Sequence, residues 1–220
     1  MHNRRLVTAV IAIAALSLAA LAGCSKGGGS PITTNDVTLG SDTAPVTIIE
    51  YASLACPFCA KFNNENFETL KKKYIDTGQV KFVQREMLLH NPQLSAAGFL
   101  LARCSGKENY FKVTDGIYKA DEEMDQTGEY SAGLLKVARS VGMNQAQLDA
   151  CIQDERAIEA LNTRVENNMN KEGIHSTPTF IVNGKQINST GGGVPSMADL
   201  DRAIAEARGA AGAPAPKATP

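Results

Sequence analysis

The sequence predicts an α/β fold with a helical subdomain inserted into it, on three observations. A β-branched run at Val46-Thr47-Ile48-Ile49 leads into an amphipathic helical stretch and then into the alternating run from Val80 to Met87, the pattern of a βαβ unit. From Pro92 to about Gly173 no strand pattern occurs, only helical periods separated by breaks. Strand character resumes at Thr179-Phe180-Ile181-Val182, crosses Asn183-Gly184 into Lys185-Gln186-Ile187 and ends in a last helical stretch, the pattern of a ββα unit.

The N-terminus is set aside before any fold reasoning. His2, Arg4 and Arg5 make a basic start, Leu6 to Leu21 is an uncharged Ala/Leu-rich run, and Leu21-Ala22-Gly23-Cys24 follows. These residues resemble the lipobox of bacterial lipoprotein signal peptides, which implies removal of residues 1–23 and lipid attachment at Cys24. The alternative is an uncleaved membrane anchor, for which the run is short. Ser25 after the cysteine resembles the outer-membrane sorting pattern, so the expected location is periplasmic and lipid-anchored, with the outer membrane open. Within residues 24–36, Lys26-Gly27-Gly28-Gly29-Ser30-Pro31 reads as a flexible tether. The chain after residue 23, about 195 residues, suffices for one domain. A net charge of −1 leaves no electrostatic footprint for nucleic acid. An exported chain lives where disulfides persist, and the four cysteines other than Cys24 make two pairs.

The folded part is expected in three pieces, residues 37–90, 91–173 and 174–208. Residues 37–40 form a short first strand and Pro45 to Tyr51 a buried one. From Pro57 to about Thr77, Cys59, Phe62, Phe67, Leu70 and Tyr74 recur mostly every three or four residues, and Gly78 stops the helix. Lys71-Lys72-Lys73 reads as its solvated face. The strand from Val80 to Met87 is parallel to the buried one, because crossovers are right-handed. In the insertion, Leu94, Ala97 and Leu101 mark one helix and Tyr110 to Tyr118 a shorter one. Leu134, Val137 and Val141 mark another, Leu148, Cys151 and Ile152 the next, and Ile158, Leu161, Val165 and Met169 the last. Asn183-Gly184 is the strongest short hairpin signal in the chain, since both turn residues take positive φ. Gly191-Gly192-Gly193 permits a tight bend before a final helix with Ser196 as N-cap and Leu200, Ile204 and Ala207 inside. Residues 209–220, rich in Ala, Pro and Gly, read as a disordered tail.

Chemistry is expected at Cys56-Pro57-Phe58-Cys59. Pro57 suits the first helical position, where its missing N–H would have had no partner. The helix then starts on Cys56, and its unpaired N–H groups and dipole favour a thiolate there. Cys59, one turn on, faces inward within reach of Cys56. A structural disulfide or half of a zinc site would use the same motif. Zinc needs a second ligand pair, and none stands at a suitable spacing, so no metal and no cofactor is expected.

The order of these elements, with Cys56-Pro57-Phe58-Cys59 at the first helix and Thr177-Pro178-Thr179-Phe180-Ile181-Val182-Asn183-Gly184 after the insertion, resembles the thioredoxin fold of the DsbA-type thiol:disulfide oxidoreductases over residues 37 to 208. The resemblance implies a cis Thr177–Pro178 bond opposite the cysteines, leaving the Thr177 backbone to pair with an extended substrate; an ordinary trans turn is the alternative. It implies that Glu50 lies under the site and helps move the proton of the inner cysteine, against a carboxylate at a strand edge in water. His175, three residues before Pro178, either borders the sulfurs or is a plain loop histidine, and His90 has no assigned role. Cys104 and Cys151, on helices of the insertion, are expected to form a structural disulfide, which some DsbA-like proteins also carry; two separate buried thiols are the alternative.

The implied activity starts from a resting Cys56–Cys59 disulfide whose exposed Cys56 sulfur is attacked by a substrate thiolate. Implied partners are unfolded or reduced exported proteins and a membrane oxidase of the DsbB kind, with the lipid holding a monomer to the membrane. Three other readings use the same residues. One is an isomerase or reductase kept reduced by a membrane donor; Thr before the proline fits it, whereas the stretch from Ser25 to Val37 is too short for an oligomerisation segment. The second is a lipid-anchored chaperone or binding module without redox turnover, and the third a metal carrier using Cys56, Cys59 and His175.

Overall fold

The β-branched run becomes the central strand of a five-stranded sheet. In the computed structural model, which describes residues 31–212, β1 (Val37–Leu39), β2 (Val46–Ala52), β3 (Val80–Glu86), β4 (Thr179–Val182) and β5 (Lys185–Ile187) stand in the order β1-β3-β2-β4-β5. Strands β2 and β3 are parallel, with Val46 opposite Val80, and the other pairings are antiparallel. The expected signal peptide, Cys24 and the glycines of the tether lie outside the described residues, as do residues 213–220. Among the described residues no helix is long and apolar enough to cross a membrane.

Alternation along the strands decides which core each residue joins. Val46, Ile48, Phe82, Phe180 and Val182 face one layer, where Phe62, Leu70, Ile75, Leu200 and Ile204 cover them. Ile49, Tyr51, Val83 and Ile181 face the other, with Met87 and Ile174. A third cluster fills the insertion and reaches Leu54, Cys56 and Cys59, so the motif sits where the inserted helices meet the sheet.

Helix α1 follows the motif as one continuous rod: α-helical at Pro57–Phe62, π-helical at Asn63–Phe67, α-helical at Glu68–Leu70 and π-helical at Lys71–Ile75. Its apolar residues explain the two π segments. Phe62 and Phe67 are five apart, as are Leu70 and Ile75, and i→i+5 winding returns both members of each pair to the sheet face. The insertion comprises α2 (Pro92–Cys104), α3 (Tyr110–Thr127), α4 (Tyr130–Ser140), α5 (Gln145–Ile152) and α6 (Glu155–Asn170). Caps fit their sequences: Asn91 accepts from the Leu94 N–H, Asn144 and Gln147 form a capping box, and Asp154 accepts from the Arg156 and Ala157 N–H groups.

Two expectations need correcting. The helix from Tyr110 is not short but the longest of the insertion at 18 residues, because no residue after Tyr118 breaks it before Gly128, which caps it at φ 73°. The last helix, α7 (Met197–Gly212), starts after Ser196 as expected but runs on through residues 209–212, which were assigned to the tail. The Asn183-Gly184 turn has φ of 43° and 82°, and Asn183 Oδ1 accepts from the Thr47 N–H at 2.7 Å, tying the hairpin to β2.

Candidate active site

The loop between β2 and α1 is fixed from the insertion side. Ser53 Oγ donates to the Leu89 carbonyl at 2.7 Å and lies 2.7 Å from Ser95 Oγ, which also accepts from the Ala55 N–H. The Cys56 N–H then donates to the Ser53 carbonyl. These bonds hold Cys56 at the N-cap of α1, with extended backbone and Pro57 in the first helical position. Both cysteines are free thiols here, so the structure depicts the reduced pair.

The sequence led to an exposed Cys56 sulfur, and the structure corrects this. Cys56 is 0 % exposed, packed among Ala52, Leu54, Ala55 and Cys59. Its Sγ donates to the Thr177 carbonyl oxygen at 3.4 Å across a Thr177–Pro178 bond that is cis. Phe58, at 52 % exposure, is the residue of the motif that meets solvent.

The two sulfurs are pulled apart in acidity. Cys56 is lowered from 9.0 to about 5, first because the Cys59 thiol donates to it, then through Thr177 and the backbone N–H groups of Cys59 and Phe58, all against the opposing effect of burial. Cys59 is pushed well above 9.0 by burial, by its hydrogen bond to Cys56 and by the charge of Glu50.

Glu50 lies beneath them on β2 and is 2 % exposed, not at a wet strand edge. Gln84, its register partner on β3, donates Nε2 to Glu50 Oε2 at 3.2 Å, while Glu50 Oε1 has no partner among the described residues. Burial raises the carboxyl to about 8; Gln84 opposes the rise and the charge of Cys56 adds to it. His175 and His90 are exposed, and His90 takes a φ of 66°. Cys104 and Cys151 are joined in a disulfide with Cα atoms 5.9 Å apart, linking the end of α2 to α5. Among the described residues no group of three or more His, Cys, Asp or Glu side chains could hold a metal ion.

Gln84 and the Ser53–Ser95 pair escaped the sequence reading. Gln84 had a usable signal, since parallel pairing of two seven-residue runs sets it opposite Glu50. The serines had none, being brought together across 42 positions by packing of α2 on the loop.

With this geometry in hand, comparison with known proteins is specific. The thioredoxin family model matches residues 33–205. A Rickettsia bellii protein provisionally named a protein-disulfide oxidoreductase is 31 % identical over 175 residues, covering 79 % of this chain and 66 % of that relative. Disulfide bond formation protein D of Bacillus subtilis is 29 % identical over 169 residues, covering 72 % of each chain. The crystal structure of Wolbachia pipientis alpha-DsbA1 superimposes with a TM-score of 0.72 at 26 % identity, over 82 % of this chain and 94 % of that one. The chain spans 54 to 66 % of the length of the rickettsial relatives it matches. A reduced Cys56/Cys59 pair at a helix start, a cis proline facing it and a helical insertion in the sheet's crossover thus accompany a match over most of the chain, which belongs to the thioredoxin family with the architecture of its DsbA-type members.

Proposed function

We propose that this chain is an exported thiol:disulfide oxidoreductase that introduces disulfides into other exported proteins by exchange through Cys56 and Cys59. The observation that carries the reading is the geometry at the start of α1, with Cys56 at the N-cap, Cys59 one turn on and the carbonyl before the cis Pro178 facing Cys56, an arrangement that pulls Cys56 down to about 5 while burial pushes Cys59 well above 9.0. A thiolate held at Cys56 favours the reduced protein, and a couple whose reduced form is favoured oxidises its substrates.

The reaction starts from the Cys56–Cys59 disulfide. A substrate thiolate attacks Cys56 Sγ, forming a substrate–Cys56 bond as the bond to Cys59 breaks and Cys59 leaves with the electron pair. Cys59 does not remain a thiolate at neutral pH and takes a proton; Glu50, neutral below about pH 8 and coupled to it by charge, is the group assigned to supply it. A second substrate thiolate attacks the substrate sulfur of the mixed disulfide, and Cys56 leaves as the stabilised thiolate. The substrate loses two electrons and the cysteine pair gains them. The carbonyl of Thr177, beside Cys56 and before the cis Pro178, is the edge against which an extended substrate would pair. Phe58 offers the exposed apolar contact.

Turnover needs an electron acceptor, and a membrane oxidase of the DsbB kind fits a protein anchored through lipid on Cys24 in the periplasm. Cys104–Cys151 is assigned a structural role, closing a span of 47 residues away from the sheet. Equilibration with glutathione buffers tests the direction: a midpoint potential near the about −270 mV of thioredoxin would refute the oxidase reading. Cys56→Ser tests the chemistry itself, because a binding module would keep its effect on client proteins and an oxidoreductase loses it.

A further inference from the structure

Beside the motif, α1 and α3 enclose an open groove of 530 Å3 that begins at Pro57, the residue after Cys56. Asp121 lines the groove at 5 % exposure, and no hydrogen-bond donor or cation meets its carboxylate among the described residues. Buried carboxylates are almost always satisfied, so one without a partner on the groove marks a place where a ligand group completes the bonding.

The charges on the walls say which group. Two lysines reach the groove and both are already paired, Lys61 with Glu65 at 2.5 Å and Lys119 with Asp115 at 2.7 Å. Among the described residues Glu122 and Asp125 accept hydrogen bonds only from the neutral Gln126 amide and Tyr130 hydroxyl, at 3.1 and 3.0 Å. No cation forms a salt bridge with Asp121, Glu122 or Asp125 among the described residues. Asp121 itself sits about 6 rather than 3.8, raised by burial and then by the charges of Asp125 and Cys56, with exposed His90 the opposing influence. The carboxylates do not converge as a metal site would. A single elongated cation with several donors matches the groove: its stem can lie along Pro57 and Ala60 while its head meets Asp121 and Asp125.

We propose that this groove is a subsite for a lysine or arginine side chain of the reduced substrate polypeptide, close in sequence to the cysteine that exchanges with Cys56. The inference rests on the oxidoreductase reading above and names the substrates that site prefers. It places substrate choice on α3, away from the Thr177 backbone, which pairs with any extended chain irrespective of sequence.

The test uses the oxidised protein and three short peptides, identical except for Lys, Ser or Glu at the positions flanking a single reduced cysteine. Second-order rates of exchange with the Cys56–Cys59 disulfide are read by acid quench at low salt. Each is divided by the rate of the same peptide with uncharged 2-hydroxyethyl disulfide, which removes the peptide thiol's own acidity. The Lys peptide should exceed the Glu peptide by roughly tenfold, with Ser between, and 1 M salt should shrink that ratio, as expected for a cleft whose acids outnumber its lysines. Asp121→Asn should bring the ratio close to that seen in high salt. The pair Glu122→Gln/Asp125→Asn, on exposed positions, should lower it in the same sense, which keeps the proposal testable if Asp121→Asn does not fold. Glu206→Gln, an acid on the far helix α7, should leave the ratio unchanged and so separates the groove from net charge. Equal normalised rates for the three peptides, with exchange still rapid, would overturn the subsite and leave the oxidoreductase reading standing. A Cys56–Cys59 disulfide inert to every peptide and to dithiothreitol would overturn both.

Discussion

The midpoint potential of the Cys56–Cys59 couple should change slope near pH 5. Reduction of the disulfide takes up two electrons. Below the Cys56 pKa it also takes up two protons, so the potential falls by about 59 mV per pH unit; above it Cys56 stays a thiolate, one proton is taken up, and the slope halves to about 30 mV. Because Cys56 titrates at about 5 instead of 9.0, the thiolate outweighs the thiol by about a hundredfold at pH 7, whereas an ordinary cysteine there is almost wholly thiol. That preference is worth about 2.7 kcal/mol to the reduced form. For a two-electron couple it makes the potential about 60 mV more oxidising than the same pair with an unperturbed thiol. The sign follows the direction of the shift: the advantage is present at neutral pH and is lost as the pH falls through 5. Equilibration with glutathione buffers from pH 4 to 7, followed by alkylation and mass analysis of the two states, measures it. A single slope of about 59 mV across that range, or alkylation of Cys56 with a midpoint above pH 7, would refute the assignment of the low pKa to this sulfur.

Three further outcomes follow from the same contacts. Thr177→Val removes a buried hydroxyl that meets no hydrogen-bond partner among the described residues and so stays available to the Cys56 thiolate; the alkylation midpoint should move from about 5 to about 6, the worth of one hydrogen bond to a charged group, and an unchanged midpoint would leave the stabilisation to α1 and Cys59. Glu50 titrates at about 8 when folded against 4.5, so its neutral form stabilises the fold below pH 4.5 and that stability drains away as the pH rises through 8. Glu50→Gln should therefore gain on the parent by roughly 5 kcal/mol in urea unfolding between pH 4.5 and pH 9, and parallel stability curves would contradict a buried carboxyl. Cys104→Ala/Cys151→Ala opens a span of 47 residues and should lower the unfolding free energy by roughly 4 kcal/mol while leaving the Cys56 alkylation midpoint in place; coincident denaturation curves would count against a stabilising link.

What the sequence made legible were features in which one residue type has one conformational use. Asn183-Gly184 had to be a tight hairpin, Pro57 had to open a helix on Cys56, and the β-branched runs had to be buried strands. The order of these features was enough to locate both sides of the site, although 121 positions separate Cys56 from Thr177. Harder to read were properties set by what covers a group. Nothing local distinguishes an exposed N-cap cysteine from the buried Cys56, because its cover comes from the insertion and from the Thr177 carbonyl. Tyr118 and Asp121 look like an ordinary helical pair, three apart on a stretch with good helix formers, and their lack of partners exists only once α1 lies opposite. The π segments were hidden for a related reason: a five-residue gap in an apolar pattern reads as noise until a sheet is there to demand both residues.

Arg85 bears on how the molecule hangs from whatever precedes it. From the end of β3 its guanidinium holds both oxygens of Asp36 at 2.9 Å and the Pro31 carbonyl at 3.1 Å, and on its other side it meets Glu172 and the Tyr51 hydroxyl. The incoming chain is thereby moored at the end of the sheet to which β2 delivers Cys56, and a pull along it loads a buried ion cluster rather than the loop that carries the sulfur.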